Sequence, residues 1–533
     1  MTIAREQVII FIQLIIIKKR RIMKKIIKMA ISTLALISLS ACTTTNNNPV
    51  TLTKTTLDCT YEDYNANNIY PIDGSPSVGT TKLLIIPVWF TNSNTYITNA
   101  TKKANVLSDI QAAYLGTTSQ TGWHSVKSFY ETESQNQLSL TATVSSWYEC
   151  GQPSTSYYSD TTGSNNTISL VKTASDWYFA NHPNESRTDY DCNDNGYLDG
   201  VMLIYAAPDY DALNNNNASN LWAYCYWLQE ENNYSLISPG PNVFFWASYD
   251  FMYNSTKSLL RTGTNYGSGD TSHCSVDAHT YIHEMGHVFG LEDYYDYSGQ
   301  YTPAGGFSMQ DYNVGGHDPF SVMALGWASP YIPTESCSIT INDFQSSHDL
   351  ILLTPSWNSY DSPFDEYLLL ELYTPTGLNE FDSDYSYTSN YPQGPSVSGL
   401  RLWHVDARLA YTTTGSFSAS KMTNDPSTSN GNVYMAMSNT YYTQETASYS
   451  SVLGQTFSDY NLLQLIRNKQ STYRPNDSLS SSSLFQVGSS FSMSSFANQF
   501  VKSGKLNNGA SLGWSFTVDS CSSTNATITL TKK

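Results

Sequence analysis

Charged side chains make up only 14% of the 533 residues, where about 25% is usual. Bases are scarcer still and unevenly placed. The first 41 residues hold eight Lys/Arg and one acid, so the remaining chain carries 19 bases against 44 acids. A body that acidic is repelled by phosphate backbones, which argues against nucleic-acid partners. No Cys-x-x-Cys pair occurs among the eight cysteines, which argues against a cysteine zinc site. The first apolar run, residues 8–17, has half of the about 20 residues that a membrane-spanning helix needs. Apolar and aromatic residues, by contrast, are plentiful at 40% and 13%, with 40 tyrosines. That excludes a wholly disordered chain, and the length points to two or three domains.

From Met23 the sequence MKKIIKMAISTLALISLSAC has a basic start, an apolar run and a small-residue end. This is the grammar of a secretory signal peptide over residues 1–41, with Met23 a candidate start. Its last four residues, Leu39-Ser40-Ala41-Cys42, resemble a bacterial lipobox, so Cys42 is the expected lipidation site. The expectation is an exported lipoprotein, anchored through Cys42 at the bacterial surface or released from it. Residues 42–58, in which Cys42 is followed by three Thr and three Asn, read as a flexible tether. Among the cysteines, Cys225 with Cys274 and Cys337 with Cys521 are the guesses for disulfides in an exported chain.

Residues 81–90, 138–148, 201–206 and 242–249 have the apolar or alternating texture of strands, and 108–114, 126–132 and 169–181 that of helices. Mixed order of this kind predicts an α/β layer fold over 59–330. Beyond 330, strand-length segments separated by Ser, Gly, Asn and Pro clusters predict an all-β, sandwich-like region over 331–533.

The chemistry concentrates in residues 279–296, HTYIHEMGHVFGLEDYYD. Positions i and i+4 share a helix face, so His283 and His287 can meet one metal ion, and neutral imidazole suits zinc. Glu284, next to the first His, is the candidate general base. Gly290 can end the helix in a left-handed turn and let the chain deliver Asp293 as third ligand. Glu292 and His317 are rivals for that place. The pattern H-E-x-x-H-x-x-G-x-x-D is metzincin-type. Three protein ligands leave one position for water, whose pKa zinc lowers to about 7. Met309, in Gly305-Gly306-Phe307-Ser308-Met309, is the candidate Met-turn residue, an apolar floor under the site. Tyr312 is a candidate hydrogen-bond donor to the oxyanion.

Residues 277–296, Ser308-Met309-Gln310-Asp311-Tyr312-Asn313, the PFSVMALGW of 319–327, Phe129-Tyr130-Glu131 and the GLRLWHVD of 399–406 together resemble the immune inhibitor A family of metallopeptidases. The similarity runs over roughly residues 80 to 530. The resemblance implies a zincin-type catalytic domain followed by β structure, and surface or secreted proteolysis of proteins or peptides. Asp191, Asn193, Asn195 and Asp199, with Gly196 and the Tyr197 carbonyl, are spaced like the front of an EF-hand loop, although Met202 stands where its last Glu belongs. Calcium there is expected to be structural. The overall expectation is a surface zinc endopeptidase. The rival is a non-catalytic adhesin or binding lipoprotein on the same fold, against which an intact Glu284 counts.

Overall fold

The computed structural model describes residues 40–43, 49–66, 74–159, 166–228, 234–253, 276–388, 391–412, 421–428, 432–435, 439, 460–469 and 472–533. The signal segment up to residue 39, tether residues 44–48 and Cys274 lie outside the described residues. Among those described, no helix is long and apolar enough to cross a membrane.

Strands β1 (Ser40–Thr43) and β2 (Pro49–Leu52) pair antiparallel, with Cys42 opposite Val50 and Thr43 opposite Ser338. Within the stretch read as a flexible tether, residues 42–43 and 49–52 are thus in strands. Lys54 Nζ lies 2.8 Å from Asp349, and the Thr55 N–H donates to the Pro330 carbonyl. Polar composition allowed a solvated spacer, but backbone pairing satisfies the same groups. Helix α1 (Tyr61–Asn65) continues this strap, burying Tyr61 and Tyr64 against Phe364.

Strands β3 (Gly79–Trp89), β4 (Leu138–Val144), β6 (Val201–Tyr205), β7 (Tyr224–Trp227) and β8 (Val243–Ser248) form a sheet in the order β4-β3-β6-β8-β7, with the two-residue β5 (Tyr148–Glu149) on the end of β3. All pairs are parallel except the antiparallel edge β7 on β8. The run Leu83–Trp89 is apolar throughout because both sheet faces are covered. Leu83 and Ile85 enter one core, with α2 (Ala100–Leu115) and α3 (Val126–Glu133). Leu84, Ile86 and Val88 enter the other, with Leu170, Val171 and Tyr178 of α4 (Asn166–Asn181). The period of two along β3 thus divides the layers.

Helices α5 (His279–Val288), α6 (Met309–Tyr312) and α7 (Pro319–Ala324) complete the first face. After them come antiparallel sheets. One has six strands in the order β17-β18-β19-β9-β1-β2, from β9 (Cys337–Asn342), β17 (Ser490–Ser492), β18 (Trp514–Cys521) and β19 (Asn525–Lys532). Another has the order β10-β11-β12-β16, from β10 (Leu350–Leu353), β11 (Glu366–Tyr373), β12 (Gly399–Asp406) and β16 (Leu463–Ile466). A third joins β13 (Leu409–Thr412), β14 (Lys421–Thr423) and β15 (Asn432–Met435). Ile351, Leu368 and Leu370 share a core with Ile339, Phe516 and Ile528 of the six-stranded sheet. Their neighbours Leu352, Leu369 and Trp403 point the other way, into the core that holds α5. The four-stranded sheet therefore backs the candidate site.

Sheet register also overturns one disulfide guess. Cys337 stands opposite Leu530 and Cys521 opposite Ala526. They flank β19 on opposite sides and are offset by four residues along it, about 13 Å at ~3.3 Å per residue, where a disulfide needs Cα atoms within about 7 Å.

Candidate metal centre

Helix α5 is almost wholly buried, and His283 and His287 lie on one face of it, one turn apart. Gly290 ends the run with φ 94°. The Leu291 N–H returns to the Gly286 carbonyl at 3.0 Å, so the chain folds back on the helix end. A Cβ at Gly290 would collide with Asn65, whose Nδ2 donates to the Phe289 carbonyl at 3.1 Å. Gly290→Ala is accordingly expected to cost about 2 kcal/mol or more, from left-handed strain plus displacement of Asn65. Equilibrium unfolding of the two proteins checks it.

The reversal delivers Asp293 to both imidazoles. Asp293 Oδ1 lies 3.0 Å from His283 Nε2 and 3.3 Å from His287 Nε2, and the two Nε2 atoms are 3.2 Å apart. Each Nδ1 is 2.7 Å from a backbone carbonyl, that of Met309 for His283 and that of Leu291 for His287. A carbonyl can only accept, so each Nδ1 carries a proton, and in the neutral rings the Nε2 lone pairs face each other. Two lone pairs and a carboxylate oxygen converging this closely require positive charge between them. Zinc bonds of about 2.0–2.2 Å in a tetrahedron put ligand atoms about 3.3 Å apart, which is the spacing seen. Among the described residues these three form the one group of such side chains able to hold a metal. Neither rival joins it. His317 is fully buried, and its Nδ1 stands 3.9 Å from Glu133.

Electrostatics agree with the geometry. Burial alone would raise the Asp293 carboxyl, but His287 and His283 hold it well below the usual carboxylate range. Burial opposes protonation of His287, yet Asp293 lifts its pKa to about 10. The pocket is one that attracts a cation. Glu284 is buried, which raises its carboxyl. It accepts from the Cys225 N–H of edge strand β7, while its Oε2 has no hydrogen-bond partner.

Met309 is buried, and its carbonyl, besides its side chain, serves the site by orienting His283. Tyr312 is half-buried, its ring 6.2 Å from Tyr295 and 6.0 Å from Tyr391. Three features were not read from the sequence. Gly286 is glycine because a Cβ there would run into Gln310, the residue after Met309. Asp293 Oδ2 accepts from Tyr295 at 3.1 Å and Tyr297 at 2.5 Å. One turn before His283, His279 Nδ1 lies 2.8 Å from Asp277 and its Nε2 3.3 Å from Asp382, with the ring stacked between Trp123 and Tyr387. The doubled tyrosines around Asp293 and the early His were the only available signals.

In the 191–199 loop the Asp191 carboxylate accepts from the Asn195 and Gly196 N–H groups, and Asn195 Oδ1 from Tyr197. Asp199 turns to the N–H groups of Cys192 and Lys82. Burial pushes its carboxyl up to about 7. Asp191, Asn193 and Asn195 thus share one set of turns, and Asp199 ties the loop to β3.

Residues 92–229 match the family model of the immune inhibitor A peptidase M6 catalytic domain. That match bears out the family resemblance, and of the segments that carried it, it includes Phe129-Tyr130-Glu131. It runs from just after β3 to just after β7 and stops before α5. The family indicates a metallopeptidase, a hydrolase of protein or peptide substrates, and suggests zinc as the metal. It also implies a zincin-like α/β catalytic fold, with which the mixed sheet is consistent. No curated protein matches the chain.

Proposed function

We propose that the chain is a zinc endopeptidase that cleaves extracellular proteins. The observation that carries this reading is the convergence of His283 Nε2, His287 Nε2 and Asp293 Oδ1 at tetrahedral spacing beside a buried Glu284. His283, His287 and Asp293 would hold the metal. Zinc, when bound, supplies a Lewis acid that polarises the scissile carbonyl and acidifies water. Glu284 takes the proton of the attacking water and passes it to the departing amine, a task for which a buried, raised carboxyl is suited. Tyr312 donates to the developing oxyanion. The α/β part, residues 59–330, is the metzincin-like catalytic domain, and 331–533 a β-sandwich that supports it. Lipidation of Cys42 would keep the enzyme on the bacterial surface. Calcium, held by Asp191, Asn193, Asn195, the Tyr197 carbonyl and Asp199, would stiffen the loop before β6.

Zinc content and casein cleavage of the purified chain test the reading. The expected result is one zinc per chain, with cleavage lost on treatment with phenanthroline and regained on adding zinc. Cleavage indifferent to the chelator, or a chain that takes up no zinc, would refute it.

A further inference from the structure

We infer that Tyr295 and Tyr297 are positioning residues that fix Asp293 as a single-oxygen ligand. The inference rests on the metal site proposed above. Asp293 is the one member of the cluster outside a helix, so nothing in the backbone locks its side chain as α5 locks the two imidazoles. The two carboxylate oxygens have divided tasks. Oδ1 faces His283 and His287 at 3.0 and 3.3 Å, while Oδ2 accepts from the Tyr295 and Tyr297 hydroxyls at 3.1 and 2.5 Å. With Oδ2 engaged twice, the carboxylate cannot swing to present both oxygens to the metal without breaking both bonds.

Sequence spacing makes this possible. Residues 293, 295 and 297 alternate along an irregular segment, so both phenols can return to the same side as the carboxylate. Their rings brace one another edge-on, with centroids 5.1 Å apart, and Tyr295 also leans on Tyr312. Tyr297 is 64% exposed, so its ring does little for the core. Its hydroxyl nonetheless reaches the largely buried Asp293 carboxylate, and holding it there costs side-chain freedom.

Hydrogen bonds to a ligating carboxylate orient it, and losing them typically lowers metal affinity about 10–100-fold. The test is zinc affinity of the metal-free chain, measured by competition with a chromophoric chelator, for the parent, Tyr297→Phe and Tyr295→Phe/Tyr297→Phe. Phe keeps the rings and removes only the hydroxyls. The expected result is about a tenfold or greater loss in the double variant, with unchanged melting of the metal-free protein. The visible spectrum of the cobalt-loaded double variant should also shift, reporting an altered carboxylate. Parent-like affinity and spectrum in the double variant would overturn the inference. Should that variant fail to fold, Tyr297→Phe, at an exposed ring, decides by the same two readouts. A parent chain that binds no zinc would instead sink the metal-site reading.

Discussion

Glu284→Gln is expected to keep zinc and lose cleavage by about 10²–10⁴-fold in kcat/KM, the range that removal of a general base produces. Gln has the shape of Glu, so the Cys225 N–H still finds an acceptor and α5 keeps its packing. The metal donors are His283, His287 and Asp293, none of which is altered, so the zinc content should stay at the parent's value. What disappears is the carboxylate that can accept a proton. Its environment explains why the loss should be large. Burial raises the carboxyl against the opposing charges of His287 and His283, and Oε2 has no hydrogen-bond partner. Hydrolysis of a quenched fluorogenic peptide or of casein, beside elemental analysis of both proteins, checks the prediction. A variant within tenfold of the parent would remove Glu284 from the reaction. A variant without zinc would mean that the carboxylate belongs to the metal instead.

The centre of the site was legible because its geometry is local. His283 and His287 meet by helical spacing alone, and Gly290 announces the reversal that brings Asp293 back. The buried strands β3, β6 and β8 were legible for a related reason, since an apolar run of strand length signals a sheet covered on both faces. What surrounds the site was not legible, because it is assembled across long separations. The fit of Gly286 to Gln310, the Cys225 edge strand beside Glu284 and the Asp382 contact of His279 each join segments whose proximity no spacing rule encodes. The same limit undid the pairing of Cys337 with Cys521, where strand register, invisible in the sequence, decides the distance. The strap that carries Lys54 and Tyr61 was hidden by polar composition, although its few apolar residues are those that dock.

His279 is expected to be the most costly residue to remove outside the metal cluster. It is fully buried between Trp123 and Tyr387, and it faces two carboxylates, Asp277 and Asp382. Burial would lower its pKa, but Asp277 and Asp382 outweigh that and raise it to about 10, so it is charged at neutral pH. His279→Leu would leave both acids buried without their cation, at a cost of about 3–5 kcal/mol. The pH dependence has a definite sign. A histidine raised from about 6.5 to about 10 contributes in full below pH 6.5, and loses its contribution as pH rises through 10. Glu133, raised by burial to about 8, and Asp311, raised to about 7, weaken the fold in the same direction as pH rises. His124, nearby, is lowered by burial to about 4 and acts only on the acid side. His279→Gln keeps hydrogen-bonding capacity but cannot titrate, so the difference in unfolding free energy between it and the parent isolates this histidine. That difference should shrink steadily from pH 6.5 to 10; a constant difference would show that His279 is not held as a cation. The effect should reach the site as well. Asp382 also accepts the Gly315 N–H at 2.7 Å, in the loop after α6, while His279 begins the helix that carries His283. One buried charge therefore couples the start of α5 to the segment whose Met309 carbonyl orients His283, and zinc affinity should fall with stability in the Leu variant.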